Sequence, residues 1–296
     1  LARDTIGLLP CGVVVTATAW PEPPAGFVVL QDGGHALYVA QEAASAVKAR
    51  GFDVWGAWER ALATGATASG RGATVVVAGG SDYRWRLKAL RRGGWLAAIW
   101  RDRYPSVGRL VATLAASVEA RARDVPTAAP VALIVASGIG GLARGAMAFA
   151  EIEDAEDLAH KVVRGAATRA DLVATIDAVR AMHDRGVCHP DLNLGNVLLR
   201  PREDGPPEAF VIDFDRATFT PGPLPFGARQ AALRRLERSC AKLTGAPGPW
   251  GPGTEDFWYT AYAGDDVELA RRLAFGRWAG RFTLAMHRLG WRRRTP

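Results

Sequence analysis

The stretch HPDLNLGNVLL at residues 189–199, followed by VIDFD at 211–215, decides how the chain is read. It leaves a helical segment at Gly186, presents an acid at Asp191 and an amide five positions on at Asn196, then turns apolar like a strand. The second segment is an apolar β-like run that closes on DFD. Phosphoryl transfer needs a carboxylate to receive a hydroxyl proton and oxygen ligands to hold Mg²⁺ on nucleotide phosphates. Asp191 fits the base, and Asn196 with Asp213 fits the metal pair. Singly, Asp191 and Asn193 read equally well as turn caps. The joint occurrence of HxDxxxxN, a following strand and a second run ending in DFD is what points to chemistry.

Upstream, SGRGATVVV places Gly70 and Gly72 where backbone can approach phosphate closely, although glycine in a hairpin turn is ordinary. ATVVVAGG and DYRWRLKAL then form two β-rich runs around a Gly-Gly-Ser-Asp turn, a hairpin signature, with a further strand expected at 67–69. Arg84, Arg86 and Lys88 alternate and so share one face of the second strand. That face suits solvent or phosphate equally. Residues 106–124 read as one helix, PVALIVAS and GAMAFAEI as another strand pair.

The rest is mostly helical in period, at roughly 154–164, 168–185, 226–243 and 266–289, broken by short strands in NVLLRP and AFVIDF. Residues 20–35 are rich in Pro and Gly and read as loop; QEAASAVKAR and DVWGAWERAL read as two short helices closed by Gly51 and Gly65. The expected class is α+β with two lobes: an N-terminal extension at 1–65, a small strand-rich lobe at 66–150 and a mainly helical lobe at 151–296.

HxDLxxxNxLL followed by IDFDRA resembles the family of kinases for 3-deoxy-D-manno-octulosonic acid (Kdo) and the lipopolysaccharide core, within the protein-kinase-like superfamily. The resemblance is strongest over 186–240 and fainter from 66 to 186. It implies a two-lobed kinase-like fold, ATP and Mg²⁺ as cofactors, and transfer to a hydroxyl of Kdo or a neighbouring core sugar on a lipid A precursor. By that resemblance Asp191 is the base, Asn196 and Asp213 bind metal, Lys88 clamps the nucleotide phosphates, and Gly70 and Gly72 cover them. Arg91 and Arg92 match an RRGG stretch that would contact phosphate or carboxylate. His189 would brace its loop, and residues 148–158 would link the lobes beside adenine. Glu151, Glu153 and Asp154 are equally readable as solvated charges at the next helix start.

Two features depart from protein kinases at large and a third from the pattern of the resembled family itself. Pro190 stands where protein kinases carry Arg, which removes the grip on a phosphorylated activation loop. No APE follows Asp213, which argues against a peptide-binding segment. The helix acid expected near Thr113 is missing; Glu119 is the nearest carboxylate, so either the helix is shifted or its ion pair with Lys88 is absent.

Composition bounds the partners. The chain has 296 residues, 49% hydrophobic, with a formal net charge of +7 carried mostly by Arg, which favours anionic partners. Three dispersed cysteines, Cys11, Cys188 and Cys240, give no zinc pattern and suit a reduced compartment. No apolar run reaches the roughly 18 residues of a membrane span. The expectation is a cytoplasmic protein, peripheral to the anionic inner face of the inner membrane. Arg3 and the apolar residues up to Ala19 imitate a secretory signal, but Pro10 interrupts them and 12–18 alternate like a strand.

RQAALRRLERSCAKL at 229–243 and the stretch 268–294 combine apolar and Arg-rich positions, and in the latter Trp278, Phe282, Met286 and Leu289 share one helical face; these read as core or as contact with anionic lipid or glycolipid phosphate, and the terminal WRRRTP suits surface attachment. Rival readings are another small-metabolite phosphotransferase, which usually carries HGD, and a pseudokinase acting as a binding module. Dispersed Arg without a binding motif makes nucleic acid the weakest partner.

Overall fold

In the run HALYVA, Ala36, Tyr38 and Ala40 face one way and Leu37 and Val39 the other, and all five are buried. Both faces of that strand therefore need cover, and the computed structural model shows how they get it. It describes residues 20–64, 74–80, 84–91, 103–138, 142–246, 248–251 and 253–275. Strands β1 (Phe27–Asp32), β2 (His35–Ala40), β3 (Thr74–Ala78), β4 (Arg84–Ala89), β5 (Pro130–Ser137) and β6 (Ala143–Ala150) form one antiparallel sheet in the order β1-β2-β5-β6-β4-β3.

Helix α3 (Val107–Ala122) covers one face, where Leu110 and Leu114 pack with Tyr38, Leu133 and Met147. Helices α1 (Ala44–Ala49) and α2 (Trp55–Thr64) cover the other, where Val47 and Trp58 pack with Leu37, Trp85 and Ile134. Ser106 starts α3 by accepting a hydrogen bond from the Arg109 amide.

The loop expected at 20–35 is corrected here. Residues 27–40 form a hairpin turned at Gly33 and Gly34, with Gly33 at φ +54°, and β2 hydrogen-bonds to β5. Part of the stretch read as an extension over 1–65 is thus built into the sheet of the small lobe. The two short helices and the β3–β4 hairpin stand where their patterns put them. The strand expected at 67–69, the alternating run at 12–18, Cys11 and the face from Trp278 to Leu289 lie outside the described residues.

The second lobe forms around α5 (Arg169–Asp184), α6 (Phe226–Thr244), α7 (Phe257–Ala263) and α8 (Val267–Phe275), with the shorter α4 (Leu158–Val163). Thr168 and Asp171 cap α5 reciprocally, and Lys161 of α4 pairs with the buried Asp171 carboxylate at 2.8 Å. Burial would raise that carboxyl's pKa, but Lys161 and the Thr168 hydrogen bonds outweigh it and hold it low. Helix α7 was not foreseen; its sequence FWYTAYA inserts Trp258, Tyr259 and Tyr262 into the core. Short strands β7 (Glu156–Asp157), β9 (Val197–Arg200) and β10 (Glu208–Val211) pair in the order β10-β9-β7, and β8 (Val187–Cys188) pairs with β11 (Thr218–Phe219). Among the described residues no helix is long and apolar enough to cross a membrane.

Gly186 ends α5 at φ +72°, and a Cβ there would stand 2.4 Å from the Gly222 carbonyl oxygen. Only glycine lets the chain pass from α5 into the polar loop at that point.

His183 is fully buried near the end of α5, with Nδ1 2.9 Å from the Tyr262 hydroxyl. Arg229 donates to that same hydroxyl at 3.0 Å, so Tyr262 donates to the imidazole. Burial and then the Arg229 charge push the His183 pKa from 6.5 down to about 3. Below its unfolded pKa the unfolded chain takes up a proton that the native state refuses, so stability falls as pH drops from 6.5 towards about 3. Unfolding free energies from urea titrations should decline across this window by up to roughly 1.4 kcal/mol per pH unit from this group. His183→Gln should show a shallower slope, and an identical slope would rule the group out as the cause.

Candidate active site

Apolar anchors set the polar loop. Leu192 and Leu194 are buried in the core of the helical lobe, while Asp191 between Pro190 and Leu192 stays exposed to the cleft. Asn193 and Asn196 each donate from Nδ2 to the Asp191 carbonyl, at 2.8 and 2.9 Å, and Asn193 accepts from the Gly195 amide. The Asn196 amide nitrogen is thus engaged, and its Oδ1 is the atom left for a cation. The turn-cap reading of Asn193 holds, and the same hydrogen bonds fix the backbone that carries Asp191.

His189 joins this loop to the DFD segment. Its Nε2 lies 3.1 Å from the Ile212 carbonyl, its ring packs on Phe214, and the Ile212 amide donates to the Asn196 carbonyl at 2.9 Å. Burial lowers the His189 pKa, so the neutral ring donates through Nε2. Asp213 follows with φ +71°, in the left-handed region, and its carboxylate meets Lys88 Nζ at 2.8 Å across the lobes.

These groups line one cleft of about 1170 Å³ between the sheet and the helical lobe, with Arg86, Lys88, Arg91, Asp191, Asn196 and Asp213 in its wall. Trp85 and Leu87 point into the core, which leaves Arg86 and Lys88 to the cleft. Of the sequence candidates, Gly70, Gly72 and Arg92 lie outside the described residues.

The lobe-linking segment also lines the cleft, through Ala150, Glu151, Ile152 and Ala155. Its acids are divided in role: Glu151 pairs with Arg86 and Glu153 with Arg84, while Asp157 caps α4 by accepting from the His160 amide.

The doubt over Glu119 is resolved against its pairing with Lys88. Glu119 accepts from Arg123 on its own helix at 2.7 Å, and Lys88 has Asp213. Thr113 and Ser117 are the side chains α3 turns to the cleft. Thr113 donates to Asp215 Oδ1 at 3.0 Å, and Arg109 forms a salt bridge with the same oxygen. The second acid of DFD thus fastens the helix that an ion pair to the strand lysine would otherwise hold.

The Arg-rich stretch 229–243, read as core or as contact with anionic glycolipid, contributes through α6 a wall of the cleft that the sequence did not locate. Arg235, Arg238, Ser239 and Lys242 face the cleft beside Asp191, and Ser239 Oγ accepts from the Leu194 amide at 3.1 Å. The signal was the spacing of these residues on the face opposite Leu233, Leu236 and Cys240.

A strand-rich lobe and a helical lobe that bring a cross-lobe lysine, a loop acid and amide, and a DFD segment to one cleft define a protein-kinase-like phosphotransferase. The chain matches the lipopolysaccharide kinase (Kdo/WaaP) family over residues 56–250, and it belongs to that family.

Its relatives include the 3-deoxy-D-manno-octulosonic acid kinase of Pasteurella multocida, 28% identical over 191 residues, covering 62% of this chain and 78% of that enzyme. The enzyme of the same name from Xanthomonas oryzae pv. oryzae is 32% identical over 166 residues, which is 54% of this chain and 62% of that one. Among solved structures, WaaP in complex with acyl carrier protein is 17% identical, covers 79% of this chain and 92% of that one, and superposes with a TM-score of 0.47.

If Asp215 fastens α3, Asp215→Asn should lower kcat/KM about tenfold by loosening the cleft. Because Asp215 and Arg109 are partly exposed, the unfolding free energy should change by less than about 1 kcal/mol. Steady-state kinetics beside chemical denaturation check both; unaltered kcat/KM would show that the contact does not position α3.

Proposed function

We propose that this chain is an ATP-dependent phosphotransferase that phosphorylates a hydroxyl of Kdo or of a neighbouring sugar of the lipopolysaccharide inner core. Family membership supports the reaction class and the sugar, since the relatives that match carry that activity in their names. The observation that carries the site is the convergence of Asp191, Asn196, Asp213 and Lys88 on one cleft.

Asn196 Oδ1 and the Asp213 carboxylate are hard oxygen donors of the kind Mg²⁺ takes, and a magnesium nucleotide needs only one or two such protein ligands beside its own phosphates and water. The donor set therefore fits Mg²⁺, which when bound would neutralise charge on the transferred phosphoryl group. Lys88, released from Asp213, holds phosphate oxygens. Asp191 orients the acceptor hydroxyl and takes its proton as the oxygen attacks. Gly70 and Gly72 cover the phosphates, and Arg91 and Arg92 extend the positive wall.

The acceptor in this reading is the sugar of a lipid A precursor at the cytoplasmic face of the inner membrane. The net charge of +7 suits peripheral contact with that anionic surface. The pseudokinase alternative drew on the missing acid of α3; the Asp215 contacts with Thr113 and Arg109 supply another anchor for that helix and weaken it.

Purified protein supplied with Mg-ATP and Kdo-lipid tests the reading. Asp191→Asn should cut turnover by roughly two orders of magnitude or more with nucleotide affinity retained, and Asp213→Ala should weaken Mg²⁺-dependent ATP binding. Full turnover in Asp191→Asn would remove that residue from the reaction, and Mg-ATP affinity unmoved by Asp213→Ala would contradict the metal role.

A further inference from the structure

Apart from Arg91, which follows β4, the cations of the cleft fall into two sets. Arg86 and Lys88, on the sheet side, are each matched by a carboxylate, Glu151 and Asp213. Arg235, Arg238 and Lys242, on the α6 side, have no carboxylate or hydrogen-bond partner among the described residues, yet all three line the same cleft as Asp191 and Asn193.

Their placement is built. Positions 235, 238 and 242 follow one another at three- and four-residue spacing and so share a face of α6. The opposite face, Leu233, Leu236 and Cys240, is buried in the helical core. The acid within this stretch, Glu237, is turned inward and accepts from the Tyr259 hydroxyl at 2.6 Å, so it does not neutralise the basic face. Ser239, between Arg238 and Lys242 in sequence, is hydrogen-bonded to the Leu194 amide. That bond registers the helix against the loop bearing Asp191. Arg235 and Arg238 are half-buried, so their guanidinium groups are not free to wander in solvent.

Like charges gathered on one half-buried helix face repel one another and are costly unless an anion joins them. In the sugar-kinase reading the nucleotide phosphates are already provided for by Lys88 and by the metal that Asn196 and Asp213 would hold. The surplus charge lies instead beside the proposed base, where the acceptor must present its hydroxyl.

We propose that Arg235, Arg238 and Lys242 form an oxyanion subsite that holds the acceptor by a carboxylate or phosphate group and so presents its hydroxyl to Asp191. This deepens the sugar-kinase reading and rests on it. A sugar acid offers a carboxylate that matches the planar fork of an arginine, with the lysine as a point charge at the rim. A phosphate elsewhere on the glycolipid has the same chemistry.

The test compares wild-type protein with Arg238→Gln, Lys242→Gln and the double variant Arg235→Gln/Arg238→Gln. The acceptors are Kdo-lipid, its carboxyl methyl ester, and Kdo-lipid stripped of its lipid phosphates. KM for Kdo-lipid should rise about tenfold or more in the double variant, with KM for ATP within about twofold of wild type. Arg238→Lys should recover part of the loss, and Lys242→Gln, at an exposed position, guards against a folding defect in the arginine variants.

If the carboxylate is the ligand, the ester raises the wild-type KM to the level of the variant and the dephosphorylated lipid does not; if a phosphate is the ligand, these results exchange. An acceptor KM unchanged in the double variant, or a rise confined to the KM for ATP, overturns the subsite. Should wild type phosphorylate none of these acceptors, the sugar-kinase reading fails separately. The subsite is then judged by calorimetric titration of the ADP-saturated protein with inorganic sulfate: binding weakened about tenfold in the double variant supports it, and equal binding overturns it.

Discussion

Two hydrogen bonds at Ile212 hold the site together. Its amide donates to the Asn196 carbonyl, and its carbonyl accepts from His189, so the residue before Asp213 is stitched to both ends of the segment that carries Asp191. The stitch works because Nε2 of the buried His189 has the Ile212 carbonyl as its partner, while burial lowers the ring's pKa. Phe214, packed on that ring, takes the side of the chain facing the core. Asp213 and Asp215, on either side of it, are thereby left to the cleft and to α3. The alternation of one buried aromatic between two acids converts a local sequence pattern into two separate polar tasks.

Those tasks divide the work of joining the lobes. Asp213 reaches Lys88 on β4, and Asp215 reaches Arg109 and Thr113 on α3, so the sheet and its covering helix are each tied to the same three-residue turn. Glycine at 215 would supply neither contact. An acid on α3 directed at Lys88 would be redundant in this arrangement, because Asp213 already pairs with the lysine. It would also be misplaced at 119, since six residues at 100° each carry Glu119 well round the helix from Thr113.

The polar loop was readable from sequence because its contacts are short in range: cap, amide and acid lie within eight residues, and the apolar anchors at 192 and 194 alternate with them. Helices α3, α5 and α6 were readable from their period. The β1–β2 hairpin was not, since the Pro and Gly residues of 21–26 masked a Gly-Gly turn flanked by FVVLQD and HALYVA, which is itself a hairpin signal. Helix α7 escaped because FWYTAYA is apolar nearly all round and shows no polar face to count. Periodicity showed which side of α6 is buried, but it carries no information about what the other side meets. That Arg235 and Arg238 face Asp191 rather than solvent depends on the Ser239 contact, forty-five residues from its partner in the chain.

The distribution of charge in the cleft then gives direction to the proposed reaction. Arg86 and Lys88 each face a carboxylate, so in the proposed reading a magnesium nucleotide would meet Asp213 through its metal and Lys88 through its phosphates. On the α6 side the cations start alone, and an anionic acceptor would remove repulsion as well as gain attraction. In the proposed reading the donor side of the cleft is charge-paired and the acceptor side is not, so charge would discriminate among acceptors more than among donors, with Asp191 at the boundary between the two halves.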